Sequence, residues 1–163
     1  MPYPFYISID GAKQGTFKGE AVAKEGTGHG KIAGVRYFSE TTSPRDIATG
    51  QASGKRVHKP ILFTKEWDAS SPQLFQALVT NEVLTTVLFE FIRTNENGED
   101  EVHFRVTLTN ANISSIKSYV DLTDTTGDAY DAHELEDVEL AYRKIEIENV
   151  TAKTAAVDDW TKV

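Results

Sequence analysis

Val87-Leu88-Phe89-Glu90-Phe91, a turn at Asn97-Gly98, and Val102-His103-Phe104-Arg105-Val106-Thr107-Leu108 decide the fold. In the second run Val102, Phe104, Val106 and Leu108 point one way, while His103, Arg105 and Thr107 point the other. That period of two belongs to a half-buried strand. Val87, Phe89 and Phe91 repeat it. Asn-Gly between two such runs is the strongest short hairpin signal, because both central positions of a type I′ turn need φ > 0. An antiparallel hairpin is therefore the expected seed of a β-rich domain.

Working outward, the same pattern recurs. Phe5, Ile7 and Ile9 alternate with Tyr6, Ser8 and Asp10 and stop at Asp10-Gly11. Strands are also expected over 31–42, with Val35 and Tyr37 on one face, and over 57–67. After a break at Asn110-Ala111-Asn112, 113–122 resumes the pattern. Val138, Leu140 and Tyr142 alternate at even positions, then Ile145 and Ile147 at odd ones. A one-residue bulge at Arg143-Lys144 would return both halves to one face. A last short strand is expected around Val150.

One segment departs from the β pattern. Ser70 or Ser71 is placed to cap a helix, Pro72 suits its first turn, and Ser70 with Gln73 fits a capping box. Leu74, Phe75, Leu78 and Val79 then fall at helical spacing. The spacing predicts one short amphipathic helix, about 71–81, with that stripe closing an open end of the sheet structure. The alternative is that its outer face meets another protein. Two stretches read as loops: 41–55, longer than a compact domain needs for a connection, and the acidic 121–134.

Composition bounds the function. With 163 residues the expectation is one domain. Seventeen basic against 25 acidic residues give a net charge of −8, which argues against a protein that neutralises many phosphates. The absence of cysteine excludes disulfides, thiolate metal sites and a cysteine nucleophile. No apolar run approaches the 18 or so residues of a membrane span. Met1 to Tyr6 carries no basic region ahead of an apolar core, so no secretory signal peptide is expected there. The tail from Asn149 to Val163 is short, so no further fused domain is expected.

Motifs that would carry chemistry fail on spacing. Gly26-Thr27-Gly28-His29-Gly30-Lys31 lacks the first glycine of a phosphate loop, since Glu25 stands there, and Ile32 replaces the magnesium-binding hydroxyl. In Gly50-Gln51-Ala52-Ser53-Gly54 the serine is one position late for a nucleophile elbow. Asp121, Asp124, Asp128 and Asp131 break EF-hand spacing at Thr123, Thr125 and Thr126. A solvated acidic loop is the expectation, a weak calcium site the alternative. His29, His58, His103 and His133 show no metal-ligand spacing, and His103 is expected on a polar strand face. Asn112-Ile113-Ser114 and Asn149-Val150-Thr151 match the glycosylation sequon by chance. No catalytic residue, cofactor or metal site is expected.

The pattern of the whole chain resembles one family. Ser43-Pro44-Arg45-Asp46, Gly54-Lys55-Arg56, His58-Lys59-Pro60, Thr64-Lys65-Glu66, Asp68, Ser70-Ser71-Pro72 with Leu74 and Ala77-Leu78 form one long signature. It continues in Asn112-Ile113-Ser114-Ser115-Ile116, in the run from Val138 to Glu146, and in Asp158-Asp159-Trp160. In this it is similar to the haemolysin-coregulated protein (Hcp) family, the tube protein of bacterial type VI secretion. Trp67, in place of a smaller aliphatic residue, and Ile147, in place of an aromatic, depart from the family pattern.

The resemblance implies a mainly β chain, a small two-sheet β-barrel or sandwich with one short flanking helix. It implies homo-hexameric rings that stack into a tube driven out by a contractile sheath. Spike and baseplate proteins are partners at its ends, and effector proteins ride inside or attached. Such a chain is made in the cytoplasm and leaves without a signal peptide. It inserts in no membrane, binds no nucleic acid and is not an enzyme. A contractile-injection tail-tube protein of phage type shares this logic; a β-sandwich binding module is the alternative of another class. Edge strands must be covered by neighbouring copies, since a bare edge is a row of unpaired N–H and C=O groups. The contact between rings or subunits is expected in the 41–55 loop and just beyond it, at Ser43, Pro44, Arg45, Asp46, Lys55, Arg56, His58 and Lys59.

Overall fold

Alternating apolar residues make strands that pair antiparallel throughout. The computed structural model describes residues 5–21, 30–121 and 133–160. In chain order the elements are β1 (Phe5–Gly11), β2 (Gly15–Thr16), β3 (Ile32–Gly34), β4 (Arg36–Phe38), β5 (Thr41–Thr42), β6 (Val57–His58) and β7 (Ile61–Glu66). Then come α1 (Ser70–Val79), β8 (Leu84–Thr94), β9 (Asp100–Asp121), β10 (His133–Asn149) and β11 (Thr154–Asp159). The main sheet runs β2-β1-β8-β9-β10-β7-β4, with β3 on β1 and β11 on β10; β5 and β6 form a separate ribbon.

One segment joins both ends of that sheet. Only Val35 separates β3 from β4, yet β3 pairs with β1 and β4 with β7. The Val35 N–H donates to Thr64 O at 2.8 Å. The sheet thus curls round on itself through residues 32–38. Gly34 makes this possible, since a Cβ there would lie 2.0 Å from the Phe5 ring. The inside is filled by Ile7, Ile9, Phe63, Phe89, Leu108 and Leu140, all fully buried. Each large apolar side chain so placed contributes about 1.5–3 kcal/mol relative to exposure.

The β8–β9 hairpin is present, but its turn differs from the expected one. Gly98 has φ +78°, while Asn97 is not in the left-handed region. The Gly98 N–H donates to Asn95 O, and the Asn95 N–H to Glu99 O. The Asn95 carboxamide accepts from the N–H groups of Asn97 and Glu99. This is a tight turn followed by a left-handed glycine, the three-residue alternative to type I′. Asn95 replaces the second left-handed residue by holding the turn from its side chain.

The break expected at Asn110-Ala111-Asn112 does not end a strand, and the expected bulge at Arg143-Lys144 does not shift register. Asn110 takes φ +52° within a continuous β9. Pairing passes from Tyr142↔Ala111 to Lys144↔Thr109 with its register intact. The buried set changes phase in both strands at this level: Leu108 to Ala111 in β9, Tyr142 to Ile145 in β10. Matched irregularities cancel, so register survives. The real shift lies between Glu139 and Leu140, where β9 carries the extra residue Ser114. Residues 31–42 and 57–67 are interrupted strands, broken at Val35 and Ser39–Glu40 and at Lys59–Pro60. The last strand begins at Thr154, beyond Val150.

The helix begins one residue early, and its buried face is not the whole expected stripe. Its N-cap is Ala69, with no side-chain cap, so neither Ser70 nor Ser71 fills that place. Asp68 serves instead, accepting from the Ser70 N–H (2.8 Å) and hydroxyl (2.5 Å). Gln73 accepts from the Lys18 N–H, which removes it from any capping box. Leu74 and Ala77 are buried and Leu78 partly so, but Phe75 is 59% and Val79 55% exposed. The 121–134 loop with its aspartates, and His29 with its glycine-rich surroundings, lie almost wholly outside the described residues.

Candidate assembly interface

The stretch expected to be a long loop is a built hairpin. β5 and β6 pair at Thr41↔His58 and Thr42↔Val57. Arg45 bridges Ala52, the Ser53 N–H donates to Pro44 O, and the Asp46 N–H to Gln51 O. At the tip, Asp46 Oδ1 accepts from the Ala48 N–H at 2.8 Å, and the Gly50 N–H donates to Asp46 O. Gly50 supplies the left-handed residue, φ +72°. This backbone is held by its own hydrogen bonds, yet Ile47 at its end is wholly exposed.

The base of the hairpin is locked to the far end of the chain. Asp158 Oδ2 accepts from Arg56 Nε at 2.5 Å and from His58 Nε2 at 2.6 Å. Arg56 Nη2 also donates to Asp159 O at 3.0 Å. The Arg56 guanidinium first, and His58 second, hold the Asp158 carboxyl down to about 2. His58 Nδ1 faces the hydroxyls of Thr41 and Tyr142, both at 3.2 Å. Its ring packs on Trp160 at 5.0 Å and against Tyr142 at 5.6 Å. Burial raises the Tyr142 phenol above its ordinary value. The order Asp158–His58–Thr41 echoes a charge relay. Here, however, two hydroxyls share one ring nitrogen and the imidazole is buried under Trp160, an arrangement that fits a clamp better than a nucleophile.

The eight residues expected at the interface therefore divide. Ser43, Arg45, Asp46 and Lys55 are exposed and Pro44 is half-buried, all on the hairpin. Arg56 and His58 face inward to Asp158, and Lys59 pairs with Glu40 at 3.2 Å. The first group can meet a neighbour; the second positions it. Asp158 and Trp160 stood in the sequence signature without an assigned role. Their partners lie about a hundred residues away, so spacing offered no signal.

Two further polar clusters brace the scaffold. Lys65 is fully buried, with its ammonium 2.5 Å from Glu136, 2.9 Å from Asp68 and 3.0 Å from the Ser71 hydroxyl. It ties α1 to β7 and β10. On the outer face, Lys31 pairs with Glu90, Arg105 lies 3.6 Å from Glu90, and 3.4 Å separates it from Glu148. These groups follow the register Glu90↔Arg105↔Glu148 across three strands. His133 is exposed, and His103 is half-buried with its Nδ1 unpartnered. Among the described residues, no three His, Asp or Glu side chains are grouped to hold a metal.

The family model described as "Type VI secretion system effector, Hcp" matches residues 6–148. The chain belongs to the Hcp family. The "Major exported protein" of Pseudomonas aeruginosa is 38% identical over 167 residues, covering 98% of this chain and 96% of that one. A solved structure titled as the crystal structure of Hcp protein superposes with a TM-score of 0.84 at 34% identity, covering 96% and 98% of the two chains. The secreted protein Hcp3 of Pseudomonas aeruginosa gives 0.75 at 33%, covering 96% and 99%. The two family departures have different outcomes in this Hcp chain. The Trp67 indole N–H donates to Leu135 O at 2.9 Å, so the larger side chain has a partner. Ile147 is 40% exposed on β10.

Proposed function

We propose that this Hcp chain is the repeating unit of a secretion tube. Six copies close head-to-tail into a ring, rings stack through the 41–58 hairpin, and a contractile sheath drives the stack outward. Effector proteins travel in the central hole or attached to it, with spike and baseplate proteins at its ends. Made in the cytoplasm, the chain leaves with the tube; the name of its Pseudomonas aeruginosa relative says of that protein that it is exported.

The observation that carries this reading is the hairpin itself. It is fixed at its base by Arg56, His58 and Asp158, ordered along its length, and presents Ile47, Arg45 and Lys55 outward. An ordered hairpin fixed at its base, with its tip exposed, is shaped for contact with another chain. The in-plane contact is the stronger one, so rings form spontaneously while tubes need a template.

Light scattering across a dilution series, with negative-stain microscopy of the same samples, tests the proposal. Six-fold rings with a central hole are expected at micromolar concentration. A monomer throughout that range would overturn it.

A further inference from the structure

The free edge of β11 has the composition of a strand that is normally covered. Thr154-Ala155-Ala156-Val157 carries no charge in a chain of net charge −8, and shows no alternation of apolar and polar residues. A strand with water on one face alternates; one enclosed on both faces does not. Here every one of these four residues is exposed, with Val157 at 55%. Among the described residues, β11 pairs only with β10. Its charges are confined to Asp158 and Asp159, and residues 154–157 contain no lysine, proline or bulge that would keep an edge from pairing.

The direction of the free groups follows from register. The Trp160 N–H donates to Arg143 O, opposite in the β10–β11 ladder. Even-numbered residues of β11 therefore turn their N–H and C=O toward β10, and odd-numbered ones turn theirs away. At the end of the strand, Arg56 covers the outward carbonyl of Asp159. Ala155 and Val157 carry the outward groups of the uncharged stretch. The end of the strand, at Asp158 and Asp159, borders the base of the 41–58 hairpin.

We infer that residues 154–157 of β11 take up an edge strand of a second copy of this chain, continuing the sheet across the subunit boundary. The uncharged stretch is where two copies of the same acidic chain approach without like-charge repulsion. A second copy is also the strand donor present at the chain's own concentration. The inference rests on the ring reading and adds to it a strand, a side and two residues. The contact is head-to-tail, β11 against a different strand, as a closed ring requires.

Hydrogen exchange read by mass spectrometry on the peptide containing Ala155 and Val157 tests this directly. Assembled wild-type protein is expected to exchange those two amides at least roughly tenfold more slowly than the dissociated protein. In parallel, Ala155→Pro with Val157→Pro removes only outward donors, which edge strands tolerate. The variant is expected to keep its β-sheet circular dichroism and to stay monomeric. Should it fail to fold, Val157→Lys retains the N–H, adds an edge charge, and is expected to weaken assembly. Wild-type rings with unprotected Ala155 and Val157, or a folded proline variant that still closes rings, would overturn the strand contact and leave the ring reading standing. A monomeric wild type would overturn both.

Discussion

Asp158 shows how one side chain governs a distant loop. Its carboxylate holds both Arg56 and His58, residues about a hundred positions earlier. Because its folded value is lowered to about 2 from the ordinary 3.8, the sign is fixed. The stabilisation is full above the unfolded value and is lost as pH falls through the folded one. Acidification from neutrality to about pH 5 should therefore leave this clamp intact, with opening between about pH 4 and pH 2. Trp160, packed on His58, reports it. With Trp67→Phe removing the other tryptophan, emission should hold steady to about pH 4 and shift below it. In Asp158→Asn the shifted emission should appear already at neutral pH. An identical emission profile in the two proteins would remove Asp158 from the clamp. The signature contained His58 and Asp158 and said nothing of their meeting. Lys65 was equally opaque, since a charged side chain reads as solvated until Glu136, 71 residues on, supplies its partner.

At the scale of elements, alternation was legible wherever one face of a strand was buried. Val102 to Leu108 is the clearest case, because water on the polar face sorts side chains by parity. It misled at Asn110 and Arg143, where parity changes in both strands together, a cancellation that neither strand's sequence reveals alone. The helix was legible as a helix and only partly as a face. Leu74, Phe75, Leu78 and Val79 span too wide an arc for all to reach the core; Leu74 and Ala77 do, and Phe75 and Val79 do not. Leu74→Ala is expected to cost about 2–5 kcal/mol in urea unfolding, as a fully buried leucine truncation does. Phe75→Ala should change stability by about 0.5 kcal/mol or less. If Phe75→Ala costs as much as Leu74→Ala, the exposed face is not free in the isolated subunit. If it spares stability and weakens assembly, the outer face of α1 is a contact for a neighbour or the sheath.

For the whole molecule, a tube needs contacts of unequal strength along two directions. In the plane, the proposed β-edge pairing would be backbone hydrogen bonding with apolar cover, which salt disturbs little. Along the proposed axis, the hairpin would present Arg45 and Lys55 to a neighbour whose net charge is −8, and exposed charge pairs weaken as the Debye length falls from about 10 Å at 0.1 M salt to about 3 Å at 1 M. Stacks seeded at low salt should therefore shorten as salt rises while rings keep their mass. The double variant Arg45→Glu with Lys55→Glu should reproduce the high-salt behaviour at low salt without altering thermal stability, since neither side chain is buried. Light scattering for stack length and sizing chromatography for the ring separate the two contacts. Stacks that ignore both salt and the charge reversal would move the axial contact from these cations to the apolar tip at Ile47, where Ile47→Asp then becomes the disruptive change. Rings that dissociate in parallel with the stacks would mean that the hairpin also serves the in-plane contact, and that the two directions share one set of residues.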